Sequence, residues 1–126
     1  MNVVDSSGWL EFFADGPNAG FFAAAIESAD ELLVPTISLY EVFKRVLQQA
    51  DETRALEAAA LMMRGRVIAL DTQIALAAAK LSDELKSPMA DSIMLATARL
   101  NGATLWTQDA DFENIENVQY TPKTAA

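Results

Sequence analysis

The run Asn2-Val3-Val4-Asp5-Ser6-Ser7-Gly8-Trp9-Leu10-Glu11-Phe12-Phe13 decides how the chain folds. A short apolar segment ends in an acid. Two serines and a glycine, residues that suit a helix start, then precede Trp9, Leu10, Phe12 and Phe13. This is a strand passing directly into a helix. The same transition recurs where Leu32 to Pro35 meets Thr36-Ile37-Ser38 and where Val67 to Leu70 meets Asp71-Thr72. It appears again where Ala103 to Trp106 runs into Thr107-Gln108-Asp109-Ala110-Asp111-Phe112.

Helical spacing fills the intervals. Phe21, Phe22, Ala25 and Ile26 predict a helix over Ala19 to Ser28, after the turn-forming Asp15-Gly16-Pro17-Asn18. Leu39, Val42, Phe43, Val46 and Leu47 predict another from Ser38 to about Ala50. Asp51 or Thr53 caps a third through Met63, stopping near Gly65. An alanine-rich helix opens at Asp71 or Thr72 and is broken by Ser87-Pro88; Met89 to Leu100 follows, closed by Asn101-Gly102. Val118 to Tyr120 reads as a short edge strand, and the last six residues as a frayed tail. Strands that are almost continuously apolar, alternating with helices, imply a parallel sheet covered on both faces. The expected fold is a three-layer α/β/α sandwich.

The chain has 126 residues, the size of one domain, so residues 1–126 are expected to form a single unit. An apolar fraction of 52% supplies a core. No apolar run is long enough to span a bilayer and no signal peptide is readable, which predicts a cytoplasmic protein. There is no cysteine and no histidine, so disulfide scaffolds, thiolate or imidazole metal sites and Ser-His-Asp triads are excluded. Carboxylates, hydroxyls, Lys, Arg, Tyr and an external metal are left for catalysis. A net charge of −9 disfavours broad affinity for nucleic acid unless cations intervene, and suits a basic protein partner.

The acids at the strand-to-helix switches are Asp5, Glu41, Asp91 and the pair Asp109 and Asp111. Each has an ordinary explanation. Asp5 can cap the helix after it, Ser38-Leu39-Tyr40-Glu41 fits a capping box, Asp91 favours the positive end of its helix, and Asp109 and Asp111 fit a turn. Those explanations do not account for their joint placement. In a doubly wound sheet the C-terminal strand ends share one edge, so Asp5, Glu41 and Asp109 converge, with Asp91 joining them if its helix starts there. Clustered carboxylates repel one another, and a cation is the natural compensating charge. Oxygen-only ligands favour Mg²⁺ or Mn²⁺. Ser6, Ser7 and Thr107 flank the acids, as local capping groups or as donors that aim a carboxylate. Arg45, one turn beyond Glu41, fits an exposed ion pair or a contact with a substrate phosphate.

With these residues in place, the chain resembles the PIN-domain ribonucleases, specifically the VapC-type toxins of bacterial type II toxin–antitoxin systems. The likeness runs through VVDSS, the acid of VPTISLYEV, PMADSIMLATA and LWTQDADF, in that order along nearly the whole sequence. It implies a five-stranded parallel sheet and a site of Asp5, Glu41, Asp91 and an aspartate of TQDADF. Asp109 is the choice for that fourth acid, with Asp111 as a second ligand or substitute. The resemblance also implies that Ser7 and Thr107 lie near the metal. The implied partners are RNA as substrate, a second copy of the chain, and a VapB-type antitoxin that alone contacts operator DNA.

The expected function is then a Mg²⁺- or Mn²⁺-dependent endoribonuclease, the toxin of such a pair, cleaving RNA by in-line attack of a metal-activated water. Asp5, Asp91 and Asp109 would hold the metal, with Glu41 as ligand or outer-shell base. Two other readings compete: a noncatalytic PIN-like module that binds protein or RNA, and a receiver-type phosphoacceptor domain. The second wants a phosphoacceptor at the end of a middle strand, for which Asp71 is the sole candidate.

Overall fold

The computed structural model describes residues 1–124. The strands are β1 (Asn2–Val4), β2 (Leu32–Pro35), β3 (Arg66–Ile68), β4 (Thr104–Thr107) and β5 (Val118–Tyr120). The helices are α1 (Ser6–Phe13), α2 (Ala19–Ile26), α3 (Thr36–Gln49), α4 (Glu52–Met62), α5 (Thr72–Leu85) and α6 (Met89–Leu100). All strands pair in parallel in one five-stranded sheet, order β3-β2-β1-β4-β5. The expected α/β fold with about five strands is what the chain adopts.

Alternation along the strands feeds two cores. Val4, Leu32 and Val34 point to one face and pack with Trp9, Phe22, Val42, Ala58 and Met62 from α1 to α4. Val3, Leu33 and Leu105 point to the other and meet Met94, Leu95 and Ala98 of α6, while Ile74 and Ala78 of α5 pack on Ile93 and Ala96. Burial on both faces explains why β2 is apolar at every position and why β1 and β4 carry adjacent apolar residues.

Small residues set how closely α1 approaches the sheet. A Cβ at Gly8 would stand 2.6 Å from the Phe22 ring and 2.8 Å from Val4 Cγ1. Only glycine fits there.

The strand order reverses at β1, which pairs with β2 on one side and β4 on the other. Ligands of open parallel sheets bind outside the carboxyl ends of strands at such a reversal. Asp5 directly follows β1, and Thr107 ends β4.

Local signals held at several starts. Asp51 and Asp71 cap α4 and α5, accepting from the backbone N–H of Arg54 and Ile74 at 2.8 Å. The third helix differs from expectation. It begins at Thr36 rather than Ser38, with Pro35 at the cap position and no side-chain cap bond. Pro35 supplies an extended φ of −62° and ψ of 140° and ends the strand, so the helix starts directly on it. The Ser38–Glu41 capping box therefore does not form. Ser38 is fully buried and its hydroxyl has no hydrogen-bond partner among the described residues.

Candidate metal centre

Asp5 is 3% exposed and is both a helix cap and the centre of a hydrogen-bonded cluster. Its Oδ1 accepts from the Gly8 N–H at 2.8 Å and from the Ser7 hydroxyl at 3.1 Å. Its Oδ2 accepts from the Thr107 hydroxyl at 2.5 Å. That hydroxyl also accepts from the Asp109 N–H at 2.9 Å, so β4 and the segment after it are tied to the end of β1. Burial pushes the Asp5 carboxyl above the ordinary carboxylate range; the bonds from Thr107, Gly8 and Ser7 oppose that push, and the charge of Asp109 adds to it.

Glu41 reaches the same region from α3. Its Oε1 accepts from the Ser6 hydroxyl at 2.7 Å, and Ser6 also lies 3.7 Å from Met94 Sδ on α6. Asp91 stands in the first turn of α6, partly exposed. Its carboxyl is pushed up to about 6, first by burial and then by the charges of Asp109, Asp5, Glu41 and Asp111. Every acid singled out in the sequence thus acts on Asp91. Asp109 is the strongest of these charges and Asp111 the weakest; Asp111 is exposed and donates its N–H to Asp109 Oδ1 at 2.9 Å.

Among the described residues no basic side chain forms an ion pair with these acids. The one ion pair among the described residues joins Lys86 to Asp83. The acids are within electrostatic range of one another, yet among the described residues no group of three or more stands close enough to hold a metal ion as the side chains lie. The donor chemistry fits a hard divalent cation all the same: every candidate ligand is a carboxylate oxygen, and one, Asp5, is buried with no basic partner among the described residues.

Ser6 donates to Glu41, and Ser7 and Thr107 donate to Asp5. Arg45 does not form the expected pair with Glu41. It is exposed and lines a groove of about 420 Å³ with Ser7, Glu11, Gln49 and Gln108. Asp71 stays a helix cap, exposed on α5 and absent from the charges acting on Asp91, which removes the support for a phosphoacceptor. Sequence reasoning missed Asn18 and Gln108. Both are buried, and the Asn18 side chain donates to Gln108 Oε1 at 2.9 Å, one residue beyond Thr107. Asn18 reads as one more polar residue of a turn, so no local pattern marks it.

Solved structures share this fold. The chain is 25% identical to a chain of a toxin–antitoxin complex from Klebsiella pneumoniae, with a TM-score of 0.81, covering 99% of this chain and 100% of that one. VapC20 from Mycobacterium tuberculosis, a sarcin–ricin loop cleaving toxin, is 19% identical at a TM-score of 0.74, over 92% of this chain and 95% of that chain. VapBC2 from Rickettsia felis, bound to a DNA fragment from its promoter, gives 15% identity and a TM-score of 0.73, over 96% and 97%. No curated protein matches the sequence. The PIN domain model matches residues 3–118, which takes in both the Asp5 and the Asp109 ends of the site. The chain belongs to the PIN domain family.

Proposed function

We propose that the chain is a divalent-metal-dependent endoribonuclease and the toxin of a type II toxin–antitoxin pair. The observation that carries this reading is the convergence of Asp5, Glu41, Asp91 and Asp109 at the strand-order reversal, where burial first and then the charges of its acidic neighbours raise Asp91 to about 6, with no basic side chain paired to these acids among the described residues. Asp5, Asp91 and Asp109 would hold Mg²⁺ or Mn²⁺, with Glu41 as a further ligand or outer-shell base and Asp111 at the margin. Such an ion, when bound, neutralises the carboxylates and lowers the pKa of a coordinated water.

The protein's own groups set the remaining chemistry. Thr107 and Ser7 hold Asp5 in one orientation, and Ser6 holds Glu41, so these carboxylates need little reordering when a substrate arrives. Glu41 has its second oxygen uncommitted and can take a proton from an attacking water. Arg45, on the groove that passes Ser7 and Gln108, is placed to meet a phosphate next to the cleaved one.

The acidic balance and the similarity to toxin–antitoxin complexes support a basic VapB-type antitoxin as partner. The same reading has operator DNA contacted through that partner and the toxin acting as a homodimer in the cytoplasm. Among the described residues no helix is long and apolar enough to cross a membrane. Incubating the purified chain with RNA in Mg²⁺ and in a chelator tests the reading. Chelator-sensitive internal cleavage leaving 5′-phosphate ends is expected; RNA bound but left intact favours the noncatalytic module.

A further inference from the structure

Asn18 closes the turn between α1 and α2, and it joins segments far apart in the chain. Its N–H donates to Glu11 Oε2 at 2.7 Å. Its side-chain Nδ2 donates both to Gln108 Oε1 at 2.9 Å and to the Pro122 carbonyl at 3.0 Å. Asn18 is 9% exposed and Gln108 7% exposed, so water does not readily replace these bonds. One amide thus fastens the α1–α2 turn, the segment after β4 and the C-terminal segment after β5 to one another.

What Gln108 is attached to gives this its meaning. It lies between Thr107, whose hydroxyl holds Asp5, and Asp109, whose N–H is held by that same hydroxyl. Thr107 ends β4, and Asp109 two residues on is again extended, at φ −83° and ψ 119°. The Thr107 hydroxyl bonds both Asp5 and the Asp109 N–H, so the residues on either side of Gln108 belong to the carboxylate cluster. The clamp on Gln108 therefore fixes the middle of a segment whose flanking residues carry a site acid and the hydroxyl that aims another.

We propose that Asn18 is a positioning residue for the carboxylate site, acting through Gln108 to hold the Thr107–Asp109 segment; this rests on reading that edge as a metal-dependent RNA-cleaving centre. Asn18 touches none of the acids of the centre. Its influence is the placement of Asp109 and, through Thr107, of Asp5.

Three variants test it: Asn18→Leu removes the donor, Gln108→Leu removes the acceptor, and the double variant Asn18→Gln with Gln108→Asn exchanges the two lengths and restores an amide pair. The readouts are hydrogen exchange at the Asp109 amide in metal-free protein, Mn²⁺ affinity, and kcat and KM for RNA cleavage. In both leucine variants the Asp109 amide is expected to exchange faster while Leu95 in α6 keeps its protection. In both, kcat should fall on the order of tenfold to a hundredfold, in Asn18→Leu with KM within about twofold, and the exchanged pair should recover most of the loss. Wild-type exchange at Asp109 and wild-type kcat in both leucine variants would overturn the proposal. Uniform loss of protection with no recovery in the exchanged pair also overturns it, since that marks a purely structural role. If the wild type leaves RNA intact, the functional reading fails, and exchange at Asp109 with Mn²⁺ affinity decides the positioning role: both altered in the leucine variants supports it, both unchanged sinks it. Should Asn18→Leu not fold, Gln108→Leu and the exchanged pair carry the same comparison.

Discussion

The Ser6 hydroxyl donates to Oε1 of Glu41 at 2.7 Å, across 35 positions of sequence. Through this bond Glu41 belongs to the carboxylate edge rather than to the start of its own helix. The same hydroxyl lies against Met94 Sδ, so it sits where α1, α3 and α6 meet. Ser6→Ala is expected to leave the fold intact at a cost of about 1 kcal/mol, while Glu41 loses its fixed orientation and kcat falls by roughly tenfold. Urea unfolding and single-turnover RNA cleavage check the two parts separately. A stability loss with unchanged kcat would confine Ser6 to packing.

Asp91 predicts a pH dependence with a definite sign. Its carboxyl rises from the ordinary aspartate value of 3.8 to about 6 in the folded chain. A carboxyl with a folded pKa above its unfolded value binds more protons when folded over the interval between them, so its contribution to stability declines as pH rises. For the metal-free protein that decline runs from about 3.8 to about 6 and persists above, and Asp5 adds to it in the same direction. Asp91→Asn removes the Asp91 share. Relative to wild type, the variant should therefore gain stability between about pH 4 and pH 7. Unfolding midpoints across that range measure it, and a pH-independent difference between the two proteins would take Asp91 out of the acidic field.

Metal binding should reverse that penalty. A cation that binds the folded chain alone stabilises it by about 2.7 kcal/mol at a concentration of about 100 times its Kd. Mn²⁺ should raise the melting temperature more at about pH 7.5 than at about pH 5, because protons compete for the same carboxylates. Asp5→Asn should abolish most of that gain. Equal shifts in wild type and variant would point to binding elsewhere on the acidic surface.

Gly8 tests the packing that presents Asp5. An added methyl would stand 2.6 Å from the Phe22 ring and 2.8 Å from Val4, neither of which is free to move in a filled core. Gly8→Ala is expected to cost about 1 to 3 kcal/mol and to loosen the Gly8 N–H bond to Asp5. Denaturant unfolding reads the first effect and Mn²⁺ affinity the second. A variant as stable as wild type would mean that α1 shifts freely on the sheet.

Sequence made much of this architecture legible because the central strands carry adjacent apolar residues and Asp5 and Asp109 follow the ends of two of them. Leu32–Pro35 and Val118–Tyr120 were readable to the residue. The start of α3 was misread because Ser38-Leu39-Tyr40-Glu41 carries a local capping pattern, whereas Pro35 ends the strand and starts the helix by its own φ. Nothing local shows that Glu41 is held by Ser6. The roles of Asn18 and Gln108 were invisible for the same reason, since their bond spans 90 positions and depends on where the C-terminal segment lies. Long-range polar contacts have no periodicity to read.

The central claim is that the acids gathered at the β1–β4 reversal form one metal-dependent catalytic centre. The most direct measurement is Mg²⁺-dependent RNA cleavage by wild type, Asp5→Asn and Asp91→Asn, each first shown by circular dichroism to be folded. The account predicts cleavage by wild type, its loss in chelator, and a fall of at least roughly a hundredfold in both variants. Cleavage that persists in both folded variants at the wild-type rate would contradict it.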